Sequence, residues 1–182
     1  MLQDLPDAEW ILDARLAPAI EAMIALDLSL DLLIRPEQLG TALTFALRHP
    51  ELRMVLDHAA KPAIANHAFE PWASGIARLA ERTAVHCKVS GLITEAGMGW
   101  DTEALRPYVH HLITCFGTSR LMWGSDWPVL HLSGDSYRDW TMTAARLAGL
   151  DGPARARLFA GAAAEFYGLS QAGQSRKMGE RL

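Results

Sequence analysis

The stretch Leu121-Met122-Trp123-Gly124-Ser125-Asp126-Trp127-Pro128 sets a carboxylate at the end of a short apolar run. Leu121 to Trp123 read as a strand, Gly124 and Ser125 begin a turn, and Pro128, lacking an N–H, stops further pairing. Asp126 is thereby placed between two indoles, where a buried strand gives way to a loop. Burying a carboxylate without a partner is costly and raises its pKa, so Asp126 either caps the turn or does acid–base work. Arg35, His58, and Lys88 with Ser90 also fall at or near strand ends. His58 shares parity with Met54 and Leu56, so it points to the same interior, as a core histidine bonded to a carbonyl or as a titrating group. Asp57, of opposite parity, is read as anchoring a loop. Lys88 and Arg35 can hold a carboxylate or an oxyanion, or can pair with inward Asp31. Lys61, Trp100 and Trp127, in loops at the same end, can line a small pocket by stacking on C–H faces, although Trp100 can equally cover core. His110 and His111 are helix neighbours that cannot both face one metal and are read as solvated.

These groups need a scaffold that brings strand ends together, and the chain alternates strand and helix. Asp13 caps a helix through Leu26, with Pro18 in its first turn. A strand follows over Leu28 to Arg35, then a helix opened by Pro36. The unit repeats as a strand over Arg53 to His58 with a helix near Glu70 to Glu81, and as a strand over Ala84 to Ser90 with a helix near Thr102 to Phe116. Leu121 to Trp123 is the last strand, followed by a helix near Tyr137 to Leu147. A final helix runs from Pro153 to near Gly168. This alternation argues for a parallel sheet. In Val85 to Ser90 one face is apolar (Val85, Cys87, Val89) and the other polar (His86, Lys88, Ser90), which suits a barrel strand near its functional end. A doubly wound sheet, covered on both faces, fits that alternation less well.

The order and wording of several segments go further. Asp31-Leu32-Leu33 with Arg35-Pro36, Val55-Leu56-Asp57-His58 with Lys61-Pro62, Lys88-Val89-Ser90-Gly91-Leu92, Gly124-Ser125-Asp126-Trp127-Pro128 and Phe166-Tyr167-Gly168-Leu169 occur in one order. Together they resemble the sugar-lactonase branch of the amidohydrolase-related family over about Leu2 to Leu169. The resemblance implies a TIM-like (β/α)8 barrel, with Asp126 as the catalytic carboxylate and His58 as an active-site histidine. It implies substrate contacts from Arg35, Lys61, Lys88, Ser90 and Trp127, and hydrolysis of a cyclic ester of sugar-acid type. Amide hydrolysis and decarboxylation occur on the same scaffold. One departure is small: family members commonly have Asn where this chain has Ala162.

Counting units exposes a shortfall, because a closed barrel needs eight strands and the chain supplies about four. The expectation is thus the C-terminal half of the barrel, strands five to eight, in one domain over residues 1–169 with a polar tail over 170–182. A hydrolytic metal site wants three or more protein ligands. The family draws two of them from His-x-His on its first strand, and no His-x-His occurs in this chain. His58 and Asp126 would be the metal ligands if a zinc or manganese ion were bound in a complete homologue; for this chain by itself no cofactor is expected, and negligible turnover. The rival reading is a non-catalytic half-barrel or one subunit of a split enzyme. Met54, Leu56 and Leu33 on an open inner face, with two unpaired edge strands, would favour self-association or a complementary N-terminal half.

Bulk properties set the outer bounds. At 182 residues, half of them hydrophobic and 21% charged, the chain can bury a real core. A net charge of −4 with no Lys/Arg run argues against nucleic acid. Cys87 and Cys115, without C-x-x-C spacing, read as buried thiols in a reducing compartment. With no apolar run long enough for a bilayer, the expected location is cytoplasmic and the expected partner a small lactone or carboxylate.

Overall fold

The computed structural model describes residues 4–169; the expected tail over 170–182 lies outside them. Four parallel strands form one sheet in the order β1-β2-β3-β4, with β1 Ser29–Leu32, β2 Arg53–Leu56, β3 His86–Val89 and β4 Leu121–Trp123. Helix α1 Ala17–Ala25 precedes the first strand, α2 Leu39–Arg48, α3 Trp72–Arg82, α4 Leu92–Ala96 and α5 Thr102–Phe116 lie between strands, and α6 Tyr137–Ala148, α7 Gly152–Ala156 and α8 Ala162–Phe166 follow the last. Among the described residues, no helix is long and apolar enough to cross a membrane.

Strand and helix starts follow local chemistry. The Asp13 carboxylate accepts from Arg15 N at 2.8 Å before α1, where Pro18 takes the first turn. The Asp101 carboxylate caps α5 through Ala104 N, and Gly117, at a φ of 61°, closes it. Pro107 is accommodated inside α5, one turn in. Leu32, Leu56, Cys87, Val89 and Leu121 face these helices and are almost wholly buried against them. A smaller cluster lies apart from this core: Val55 and Met122 pack against Ala162 and Phe166 of the C-terminal helix.

Several expectations need correction. β2 ends at Leu56 rather than His58. Met54 and Leu56 belong to the helix-facing core at 3% and 0% exposure, so they are not on an open inner face. The register sets Asp31 beside Val55 and Val55 beside His86, so those residues share the other face. That face is partly covered by α8, against which Val55 and Met122 pack. The final helix is not continuous, since five residues over Arg157–Gly161 adopt a π-helical turn between α7 and α8. Ala162, where family members commonly have Asn, is fully buried after this turn. His111 is not solvated: its Nε2 bonds Ala73 O at 2.9 Å and its ring packs against Phe69 and Trp72. Cys87 is buried, whereas Cys115 is only partly so, and both are free thiols. Helix α4 and the 3-10 turn over Val129–Ser133 had no periodic signature long enough to read.

Candidate active site

The site is assembled where β2, β3 and β4 end. After Leu56 the backbone enters a left-handed run in which His58, Ala59, Ala60 and Lys61 have φ of 48°, 50°, 58° and 52°. Non-glycine residues hold such angles only when packing over-determines them, at about 1–3 kcal/mol each. Here Ala59 and Ala60 are sealed at 0% exposure, and the Trp72 indole N–H donates to Ala59 O at 2.7 Å. The run takes His58 out of strand geometry and carries its ring towards β3. His58 Nδ1 lies 2.8 Å from Ser90 Oγ, the pair being formed across the strand ends. Gly91 follows at a φ of 68°, and a Cβ there would sit 2.9 Å from His58 Cβ and Cγ. Only glycine tolerates both that angle and that contact.

Asp126 is delivered from β4 by a second tight turn. Its φ of 57° is again left-handed. The Trp140 indole N–H donates to Gly124 O at 2.9 Å, which pins the turn to α6. The result is His58 Nε2 at 3.6 Å from Asp126 Oδ1, with side-chain exposures of 19% and 14%. That separation is too long for a hydrogen bond, so each group keeps a polar atom for a third body. Burial pushes the His58 pKa down against the pull of Asp126 and Asp57, leaving the imidazole neutral at pH 7. Burial also pushes the Asp126 carboxyl up, opposed by His58 and Lys61.

Lys88 resolves one of the alternatives left open. Its ammonium lies 2.5 Å from Asp31 Oδ2 and 2.7 Å from Asp57 Oδ1, and the Tyr167 phenol donates to Asp31 at 2.9 Å. Burial works against its charge, but the hydrogen bonds to Asp31 and Asp57 outweigh burial and hold it protonated. Lys88 is thus committed to ion pairs on the inner face, and Asp57 is their second carboxylate rather than a loop anchor. Lys61 sits beside the His58–Asp126 pair and is matched by Glu95 of α4 at 3.3 Å. Arg35 is further out, partly exposed and 3.4 Å from Asp4. Trp127 is 66% exposed on the loop after Asp126. Trp100 donates its indole N–H to Asp135 at 2.5 Å and packs on the core, which is the covering role.

Asp57, Glu95 and Tyr167 were missed by reasoning from sequence. Parity assigned Asp57 to the wrong task, Glu95 lies on a five-residue helix without a periodic stripe, and nothing local marks Tyr167 as a partner of Asp31. Metal chemistry finds an incomplete donor set, since no group of three or more His, Cys, Asp or Glu side chains is placed to hold an ion among the described residues. His58 and Asp126 are two donors, fewer than a hydrolytic zinc requires.

Comparison with known proteins matches residues 2–169 to the amidohydrolase family model. The chain belongs to the amidohydrolase family. It is 48% identical over 177 residues to L-fucono-1,5-lactonase of Burkholderia ambifaria, covering 94% of this chain and 60% of that protein. An amidohydrolase from Burkholderia multivorans, crystallised with bound zinc, superposes with a TM-score of 0.87 at 36% identity, covering 93% of this chain and 63% of that one. A Pseudomonas putida protein with the provisional description of 2-pyrone-4,6-dicarboxylic acid hydrolase superposes at 0.73 with 27% identity, covering 92% and 60%. This amidohydrolase chain therefore spans about three fifths of the length of the relatives it matches, and its four strand–helix units correspond to part of their barrels.

Proposed function

We propose that this chain carries the acid–base half of a lactone hydrolase acting on a sugar-acid lactone. The observation that carries the reading is the half-buried His58–Asp126 pair, 3.6 Å apart at the C-terminal end of a parallel sheet, where barrel enzymes gather their chemistry. Asp126 takes a proton from water as the water oxygen attacks the lactone carbonyl carbon. His58 is neutral, and with Ser90 Oγ–H donating to Nδ1 its Nε2–H is free to donate to the carbonyl oxygen as charge develops there. Asp126 then returns its proton to the ring oxygen as the C–O bond breaks, releasing the open hydroxy acid. Lys61, itself paired with Glu95 at 3.3 Å, is a cation whose charge acts on both His58 and Asp126, and Lys88 is held by Asp31 and Asp57.

The zinc of the Burkholderia multivorans relative could draw on His58 and Asp126 here, but two donors do not complete a site, so no step is assigned to a metal. That shortfall, with the share of the relatives' length that the chain spans, favours a second reading in which this chain works only with a partner segment that supplies the remaining strands. The test is turnover of L-fucono-1,5-lactone and related sugar lactones, with and without zinc or manganese. It is run on the chain and on the chain mixed with the unmatched part of the Burkholderia ambifaria relative. Turnover in either arm should fall at least about 100-fold in Asp126→Asn, in line with loss of a general base. Turnover that survives both Asp126→Asn and His58→Gln would remove the assignment.

A further inference from the structure

The geometry points to Lys88 as a positioning residue: with Ser90 it forms a two-point clamp that grips two consecutive residues, Asp57 and His58, and so aims the His58 imidazole. The inference rests on the lactone reading above for the use made of His58, and adds the device that holds the ring in place. Lys88 lies in β3 and Ser90 just past its end, two positions apart, a spacing that sends both side chains to one face of a strand. Lys88 Nζ lies 2.7 Å from Asp57 Oδ1, and Ser90 Oγ lies 2.8 Å from His58 Nδ1. Consecutive residues of a regular strand cannot both be reached from one side, because their side chains point to opposite faces. The register sets Val55 beside His86 and Leu56 beside Cys87. A strand continued past Leu56 would bring Asp57 level with Lys88 but send His58 to the helix-facing side with Leu56. The left-handed turn at His58, with φ at 48°, brings the ring round to the side on which Lys88 and Ser90 stand.

Both grips are themselves held. Ser90 is buried and backed by β4, since a Cβ on Gly124 would sit 3.0 Å from Ser90 Cβ. Lys88 is fixed from its other side by Asp31 Oδ2 at 2.5 Å, and Asp31 by the Tyr167 phenol at 2.9 Å. A line of polar contacts thus runs from the end of α8 through Asp31 and Lys88 to Asp57, the residue before His58. Charges at reduced solvation often give a fold no more stability than apolar groups of the same volume would. What this network adds is geometry, since an ammonium at bonding distance from two carboxylates holds both of them in place. Trp72 secures the far side of the left-handed run through Ala59 O, but that bond leaves the His58 ring free to turn. Lys88 and Ser90 remove the freedom: one fixes where the run begins, the other which way the imidazole faces. Nε2 is then left towards Asp126 Oδ1 at 3.6 Å, and a carboxylate ahead of Nε2 favours the tautomer that carries its proton there.

The experiment is nitrogen-15 NMR of the histidine rings in the chain, with the His58 signals assigned by their loss in His58→Gln. Spectra are taken on the alkaline side of the histidine titration, so that the neutral ring is read. Wild type should show one dominant tautomer, with the proton on Nε2. Lys88→Met frees Asp57 and should cut the ratio of the two tautomers at least about fivefold, the population change that one lost hydrogen bond gives. Asp57→Ala frees the same end of the run while Lys88 keeps Asp31, and should do the same; it decides the matter if the Lys88→Met chain does not fold. Leu147→Ala, a cavity in the buried core under α6, is the control for lost stability alone and should leave the His58 signal where it is. An unmoved His58 signal in either folded variant, or an equal shift in Leu147→Ala, would overturn the inference. The lactone reading fails separately. A His58 signal that depends on Lys88, with no lactone turnover in any arm, leaves the clamp and removes the lactonase, while Asp126-dependent turnover with a His58 signal indifferent to Lys88 does the reverse.

Discussion

On the side of the sheet that meets the helices, Leu32, Leu56, Cys87 and Leu121 are sealed from solvent and carry no charge. On the other side, Asp31, Asp57 and Lys88 form a three-membered ion-pair network joined by the Tyr167 phenol. The first face follows the ordinary logic of a core, in which apolar area is removed from water in relaxed geometry. The second holds charges at reduced solvation, and at its upper end the left-handed run His58 to Lys61 and the turn at Asp126 add backbone strain. Stability is made on one face and drawn down on the other, and the drawn-down region is where the candidate chemistry lies.

The contrast can be broken or sharpened by substitution. Leu56→Ala on the core face should destabilise the chain most, by about 2–5 kcal/mol, because the cavity it leaves is enclosed on all sides; urea unfolding at pH 7 measures this, and a loss below 1 kcal/mol would mean the core is loosely packed. Lys88→Met on the other face should cost about 1–3 kcal/mol, less than a fully buried pair because Asp31 keeps 37% side-chain exposure. Two carboxylates would then face each other without a cation, so the deficit should shrink as pH falls through the carboxylate range. A deficit independent of pH would show that packing of the lysine stem dominates.

Asp126→Asn should act in the opposite direction. Burial raises the pKa of this carboxyl in the folded chain, so the ionised form costs stability at neutral pH and that cost is relieved as pH falls through the raised folded value. Removing the charge should therefore stabilise the chain at pH 7 by about 0.5–1 kcal/mol, and the gain should vanish in acid. His58 has the reverse linkage. Its folded pKa is lowered, so between that value and the ordinary histidine value near 6.5 the unfolded chain binds the extra proton and stability falls as the solution is acidified. Thermal melts of wild type and His58→Gln at pH 7.5 and 5.5 should diverge, with wild type losing more on acidification. The smallest effect is expected at Ala60, where φ is 58°. Ala60→Gly should relieve strain by a few tenths of a kcal/mol to about 1 kcal/mol, the lower limit set by the added entropy of the unfolded glycine. Destabilisation there would indicate that the buried methyl group contributes more than the angle costs.

Much of this architecture is written locally. Leu121–Trp123 and Thr102–Phe116 have the same bounds in sequence and structure, because their signals are short-range: an apolar strand stopped by Gly and Pro, and an apolar stripe closed by Gly117. That Asp126, His58, Ser90 and Lys88 come together was legible for the same reason, since they stand at or just beyond strand ends and a parallel sheet gathers such ends together. What period-two reasoning could not supply is where His58 and Asp57 point. The strand rule holds only while φ stays extended, and the left-handed run beginning at His58 is imposed by Trp72 and Gly91, 14 and 33 residues further along the chain. Parity therefore chose the wrong face of β2 for the interior. Whether Lys88 meets a substrate or Asp31 was likewise open, and Asp57 was not foreseen as its second partner, until three separate strands and the C-terminal helix were placed together. The amino-acid sequence by itself determined which elements form and which chemical groups they carry to one end of the sheet, because helix caps, turns and hydrophobic periods act within a few residues. Only the tertiary structure decided which of those groups are neutralised by one another and which remain available, because charges act through space on partners tens of residues away.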